Sequence, residues 1–215
     1  MMNRFMNRAQ AGTMLAAKLK SYANRQDVIV LALPRGGVPV AFEVALTLNA
    51  PLDVFIVRKL GVPGHEELAM GAIAMGGSIV YNEQIVRDLH LSENTIKHVI
   101  QFEQDELTRR EKSYRGNRPF PDLYNKTVIL VDDGIATGAT IKAAIKALRQ
   151  LKPASVVVAV PVASHDIVTI MEQLADKVIC VLQPENFYAV GQVYDDFAQT
   201  TDHEVHELLN RVPKG

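Results

Sequence analysis

Two neighbouring carboxylates, Asp132 and Asp133, are followed by the small-residue turn Gly134-Ile135-Ala136-Thr137-Gly138-Ala139-Thr140. The apolar run Val128-Ile129-Leu130-Val131 precedes them, so the segment reads as buried strand, acidic edge, loop and helix start. The backbone N–H groups of Ala136, Thr137, Gly138, Ala139 and Thr140, with two threonine hydroxyls and the positive end of a helix, suit a phosphate. Gly138 lets backbone and ligand approach closely. Paired acids beside a bare phosphate would repel it. They make sense if the ligand also carries a vicinal diol, whose O–H groups a carboxylate accepts, or a magnesium ion. A phosphate joined to a diol describes a ribose 5-phosphate. The lysine of an ATP-type GK[ST] loop and the GxGxxG of dinucleotide sites are both missing. The bland alternative is an acidic surface turn ahead of a helix.

The elements around this segment alternate. A partly apolar helix is expected over residues 7–23, a continuous apolar strand over 28–33, and a helix with Pro39 in its first turn to residue 48. A second apolar run covers residues 52–57 and ends at Arg58-Lys59. Two short apolar pieces, 71–75 and 78–81, flank Gly76-Gly77 and read as a hairpin. A long amphipathic helix over 92–115 offers a face on which a homodimer could form. Strands are expected at 127–131, 155–161 and 177–182, with helices at 138–151, 165–174 and 202–211. Near-continuous Val/Ile/Leu strands alternating with helices predict a doubly wound α/β fold with a mainly parallel sheet. Ligands in such folds bind beyond the carboxyl ends of the strands.

Bulk properties exclude several functions. The 215 residues suffice for one domain. Lys and Arg total 23 against 24 acids, a net charge of −1, which gives no reason to expect nucleic acid or an anionic membrane as partner. No stretch is apolar enough for a membrane span or a signal peptide, and a single cysteine, Cys180, allows no internal disulfide, so a cytoplasmic protein is expected. Cys180 lies in an apolar run and reads as a buried small hydrophobe. His203-Glu204-Val205-His206 is one residue short of the zinc-protease spacing and reads as an exposed helix face.

The Asp-Asp-Gly-Ile-Ala-Thr-Gly-Ala-Thr segment resembles the ribose-phosphate signature of the type I phosphoribosyltransferases. Ala136 stands where many purine salvage members carry a third Asp, as it does in the adenine enzymes. Three further segments fall in the family's order. Pro34-Arg35-Gly36-Gly37 resembles the pyrophosphate loop, in which a cis peptide is expected beside Arg35. Arg58-Lys59-Leu60-Gly61-Val62-Pro63-Gly64 sits at the place of the mobile lid, with Glu66 and Glu67 after it read as solvated charges. Phe187-Tyr188-Ala189-Val190-Gly191-Gln192-Val193-Tyr194-Asp195-Asp196 resembles the hood of hypoxanthine-guanine phosphoribosyltransferases.

The resemblance implies one domain over residues 1–215, with a flexible lid and hairpin at 58–82 and a hood at 183–200. It implies transfer of 5-phosphoribosyl from phosphoribosyl pyrophosphate to a nitrogen nucleophile, a small-molecule acceptor such as a nucleobase, with Mg²⁺. Asp132 and Asp133 would hold the ribose, residues 136–140 the 5-phosphate, and Arg35, Gly36, Gly37, Arg58 and Lys59 the pyrophosphate. Arg35, Lys59 and Asp133 are the catalytic candidates. Tyr188 would stack on the base, and Asp195 would approach the metal through water. Two rivals share this pocket chemistry: a non-catalytic phosphoribosyl pyrophosphate sensor, and a phosphosugar hydrolase on the same fold.

Overall fold

The computed structural model describes residues 4–212, with the side chains of Glu66 and Glu67 outside the described set, and so too the expectation that they are solvated. Helix α1 (Arg8–Lys18) leads into β1 (Val28–Ala32), α2 (Gly37–Leu48) and β2 (Leu52–Val54). A small sheet follows, made of β3 (Val57–Val62), β4 (His65–Ala74) and β5 (Ile79–Tyr81). Helices α3 (Glu83–Asp88) and α4 (Glu93–Arg115) return the chain to β6 (Thr127–Val131). The remainder runs α5 (Ala139–Gln150), β7 (Ser155–Val162), α6 (His165–Glu172), β8 (Lys177–Leu182) and α7 (Asp202–Arg211).

The main sheet has the order β2-β1-β6-β7-β8, and each neighbouring pair is parallel. β1 and β6 are buried at every position, because helices flank the sheet and leave no polar face to alternate with. From β1 the chain steps first to β2 on one side and later to β6 on the other. The crevice beyond the carboxyl ends of β1 and β6 is therefore a topological switch point, where such sheets bind ligands. The expected doubly wound α/β architecture is present.

One strand boundary differs from the sequence expectation. The apolar run 52–57 is not a single strand: β2 ends at Val54, Phe55 and Ile56 cross through the core, and β3 opens a separate antiparallel sheet. Both halves are buried, so hydrophobicity carries no mark of the break. Arg58 and Lys59 consequently lie within β3, opposite Ile73 and Ala72 of β4, rather than at the end of a main-sheet strand. Residues expected to form a hinged loop instead make a hairpin with two register irregularities, at Leu60/Gly61 and Gly61/Val62. The hairpin expected around Gly76-Gly77 is present as β4 and β5, and both glycines have positive φ.

A satellite cluster of Phe5, Ala11, Val162, Val193 and Tyr194 joins the start of the chain to the segment after β8. Phe5 N–H donates to Val193 O at 2.7 Å and Asp195 N–H to Phe5 O at 2.8 Å, so residues 5 and 194 pair as a short parallel bridge. The segment expected to form a hood is thus paired with residues near the start of α1. Among the described residues no helix is long and apolar enough to cross a membrane.

Candidate active site

β6 delivers Asp132 and Asp133 to the switch point, and the chain then turns through Gly138, at φ 77°, into α5. A left-handed residue there favours glycine. Ala136, Thr137, Ala139 and Thr140 are exposed, and the amides of Ala136, Thr137 and Gly138 meet no protein acceptor among the described residues. These are the orphan donors of a helix start, the ordinary place for an anion. A cavity of about 190 Å³ is lined by Asp132, residues 134–141 and Val190. One carboxylate and the anion cradle therefore share one space.

The loop after β1 closes against the same acids. Its Pro34–Arg35 peptide is cis, as the resemblance implies. A methyl group on Gly36 would collide with Asp133 Oδ2, and one on Gly37 would lie 2.8 Å from Val131 O and 2.9 Å from Asp132 Cα. The two glycines are needed because the loop rests directly on the strand end that carries the acids. Arg35 reaches from it toward the start of α7, where Nη1 is 3.5 Å from Asp202 Oδ1. The hydroxyl of Tyr114 on α4 donates to the same oxygen at 3.0 Å.

The two acids differ in their surroundings. Asp132 Oδ1 accepts the Asp133 N–H at 2.9 Å. Burial, and then the neighbouring charge of Asp133, push the Asp132 carboxyl well above the usual carboxylate range. Burial also raises Asp133, against the opposing pull of the Arg8 guanidinium, whose Nε donates to Asp133 Oδ2 at 2.9 Å. Tyr194 Oη donates to the Asp133 carbonyl at 2.6 Å, and burial pushes that phenol up.

The phosphoribosyl transferase domain model matches residues 2–198 of the chain. The chain belongs to that family. A relative from Mycobacterium tuberculosis strain H37Rv, named "Putative phosphoribosyl transferase Rv0571c", is 47% identical over 210 residues, covering 98% of this chain and 47% of the relative. The chain spans about half the length of the curated relatives it matches. The crystal structure of TT1426 from Thermus thermophilus is 40% identical, covers 99% of this chain and 100% of that chain, and gives a TM-score of 0.86. A purine phosphoribosyltransferase structure from Pyrococcus horikoshii shares the fold at 18% identity and TM-score 0.51, covering 94% of this chain and 99% of that one.

Within this phosphoribosyl transferase domain, not every residue picked from the sequence reaches the switch point. Asp132, Gly36, Gly37 and residues 136–140 come together there. Arg58 is engaged elsewhere, with its Nη2 2.6 Å from Glu103 Oε2 on α4. Lys59, the next residue of the strand, is exposed on the opposite face. Tyr188 stands 82% exposed, with no ring partner among the described residues. Asp195, expected near a metal, accepts instead from Arg4 Nε at 2.7 Å, while that guanidinium also donates to the carbonyls of Gln192 and Tyr194. Burial pushes the Cys180 thiol up to about 11, consistent with a half-buried strand residue rather than a nucleophile.

Nothing in the sequence marks Arg8, Asp202 or Glu103 as neighbours of the site, and Tyr194 and Phe197 fall near it only through the resemblance of residues 183–200 to a hood. Arg8 and Asp133 are 125 positions apart. Neither spacing nor residue type singles out such a pair before the chain has folded.

Proposed function

We propose that this domain transfers a 5-phosphoribosyl group from phosphoribosyl pyrophosphate to a nitrogen nucleophile, a nucleobase or a similar small heterocycle. The observation that carries the reading is the single cavity shared by Asp132 and the unpaired amides of residues 136–138. An acceptor for sugar hydroxyls next to an anion cradle fits one end of such a substrate. Its diphosphate would lie over Arg35, Gly36 and Gly37, on the other wall of the crevice.

In the reaction the C1–O bond to pyrophosphate breaks as the acceptor nitrogen bonds to C1 from the opposite face. Pyrophosphate leaves with the electron pair, and the acceptor gives up its N–H proton. Arg35 would take up charge on the leaving group as the C1 centre becomes oxocarbenium-like, with Lys59 the second cation of that role. Asp132 would hold the ribose in place while this happens. A magnesium ion would offset further charge on the diphosphate. Among the described residues no three His, Cys, Asp or Glu side chains cluster as a metal cage, so the substrate's own oxygens would supply most of its ligands.

The test is pyrophosphate release from phosphoribosyl pyrophosphate and Mg²⁺ with a panel of nucleobases, in the domain and in Asp132→Asn. Base-dependent release that falls at least about 100-fold in the variant is the expected result. A second reading has its own observation. The Arg58–Glu103 ion pair withdraws a cation that a catalytic lid would place on the leaving group, which favours a sensor of the same ligand. Tight binding without release under any base would decide for the sensor. Release without a base, yielding free ribose 5-phosphate, would decide for a hydrolase.

A further inference from the structure

Asp133 closes a ring of contacts that begins and ends on itself. Its Oδ2 accepts from Arg8 Nε at 2.9 Å, and the two side chains are 14% and 12% exposed. The same guanidinium donates through Nη1 to Ala198 O at 2.7 Å and lies 3.9 Å above the centroid of the Phe197 ring. Phe197 stacks on Tyr194 at 5.0 Å, and Tyr194 Oη returns to the Asp133 carbonyl at 2.6 Å. One arginine from the first residue of α1 therefore ties the acid after β6 to the hood.

We infer that Arg8 is a positioning residue for ribose recognition: it holds Asp133 by one oxygen and leaves the other for the sugar diol. This rests on the phosphoribosyl reading above. Among the described residues Arg8 is the sole side-chain donor to the Asp133 carboxylate, and its bond is to Oδ2 alone. Oδ1 stays available to a hydroxyl. Stacking on Phe197 and the bond to Ala198 O fix the guanidinium, so the carboxylate cannot swing without breaking the ring. The charged and titratable groups facing Asp133 are Arg8 from α1, Asp132 on its own strand end and Tyr194 from the hood. Burial raises the Asp133 carboxyl, and of these groups Arg8 is the one that pulls it back toward the ionised form. Without Arg8 the acid would hold its proton to higher pH and accept a sugar hydroxyl less well.

Calorimetry with ribose 5-phosphate and with 2-deoxyribose 5-phosphate separates sugar recognition from general integrity. The wild-type domain is expected to prefer the ribo sugar. Arg8→Gln is expected to lose roughly tenfold in affinity for ribose 5-phosphate, the effect of releasing a residue that orients a ligand-binding carboxylate. The loss for the 2-deoxy sugar, which keeps one hydroxyl of the diol, should be smaller. Arg8→Lys, which keeps the charge, should retain the preference and serves where the glutamine variant fails to fold. Equal losses for both sugars in Arg8→Gln, or loss of the preference in Arg8→Lys, would overturn the inference while leaving the phosphoribosyl reading standing. Failure of the wild-type domain to bind either sugar would remove that reading and the inference with it.

Discussion

Arg58 on β3 is fastened to Glu103 on α4: its Nε and Nη2 lie 2.7 and 2.6 Å from the same carboxylate oxygen. The pair is partly buried, with side-chain exposures of 25% and 14%. It pins the small sheet to the long helix and at the same time occupies a cation that the sequence assigns to pyrophosphate. Glu103→Gln should free the guanidinium. The expected outcome is pyrophosphate affinity raised a few-fold by calorimetry with Mg²⁺, with stability lowered by about 1 kcal/mol in urea melts. Unchanged affinity would show that Arg58 serves the fold alone.

Asp53 on the edge strand β2 receives Arg115 from the end of α4, at 2.8 Å to Oδ1 and 2.9 Å to Oδ2. The Arg115 side chain is 1% exposed and also donates to Glu111 and the Pro119 carbonyl. Asp53→Ala would leave a buried guanidinium with too few acceptors. A loss of about 3–5 kcal/mol is expected from chemical denaturation. Because neither partner lines the cavity beside Asp132, ligand affinity of the folded fraction should be retained.

Asp132 sets function against stability. Burial and Asp133 raise its carboxyl, so ionising it costs the folded state more than the unfolded one. A group raised in this way stabilises the fold while protonated, and that contribution is lost as pH rises through its folded value. Asp132→Asn should therefore melt above wild type at pH 8, with the gap closing as pH falls, while sugar-phosphate binding drops. A variant less stable than wild type across that range would contradict the assignment of burial as the cause.

Gly138 is tested by its backbone. Alanine at φ 77° costs about 1–2 kcal/mol. The added methyl would also lie 2.7 Å from Met171 Cε, the far end of a flexible side chain that can move. Gly138→Ala is expected to lose about that much stability in denaturant melts and to weaken phosphate-ester binding at least about tenfold, since the loop amides would re-aim.

Local chemistry is enough to find the strand end, loop and helix start proposed as the phosphate cradle. Asp132 through Thr140 are contiguous, and a buried strand ending in acids followed by a Thr-Gly turn places its groups within a few residues of one another. The alternation of apolar runs likewise leads to the parallel sheet, because burial on both faces leaves strands without polar alternation. The break inside residues 52–57 is hidden for the same reason: both pieces are apolar, and only their pairing partners differ.

Partner choice among charged side chains follows a different logic. Arg35, Arg58 and Asp195 stand out by type and place along the chain, yet each meets a group from a distant element: Asp202, Glu103 and Arg4. Arg8, unremarkable in the sequence, is the neighbour of Asp133 because α1 and the hood are brought to the end of β6 by packing. Residue order dictates which backbone segments are strands, turns and helix starts, since those depend on neighbours a few positions away. Which cation faces which anion depends on contacts between segments far apart in the chain, and these exist only once the core has assembled.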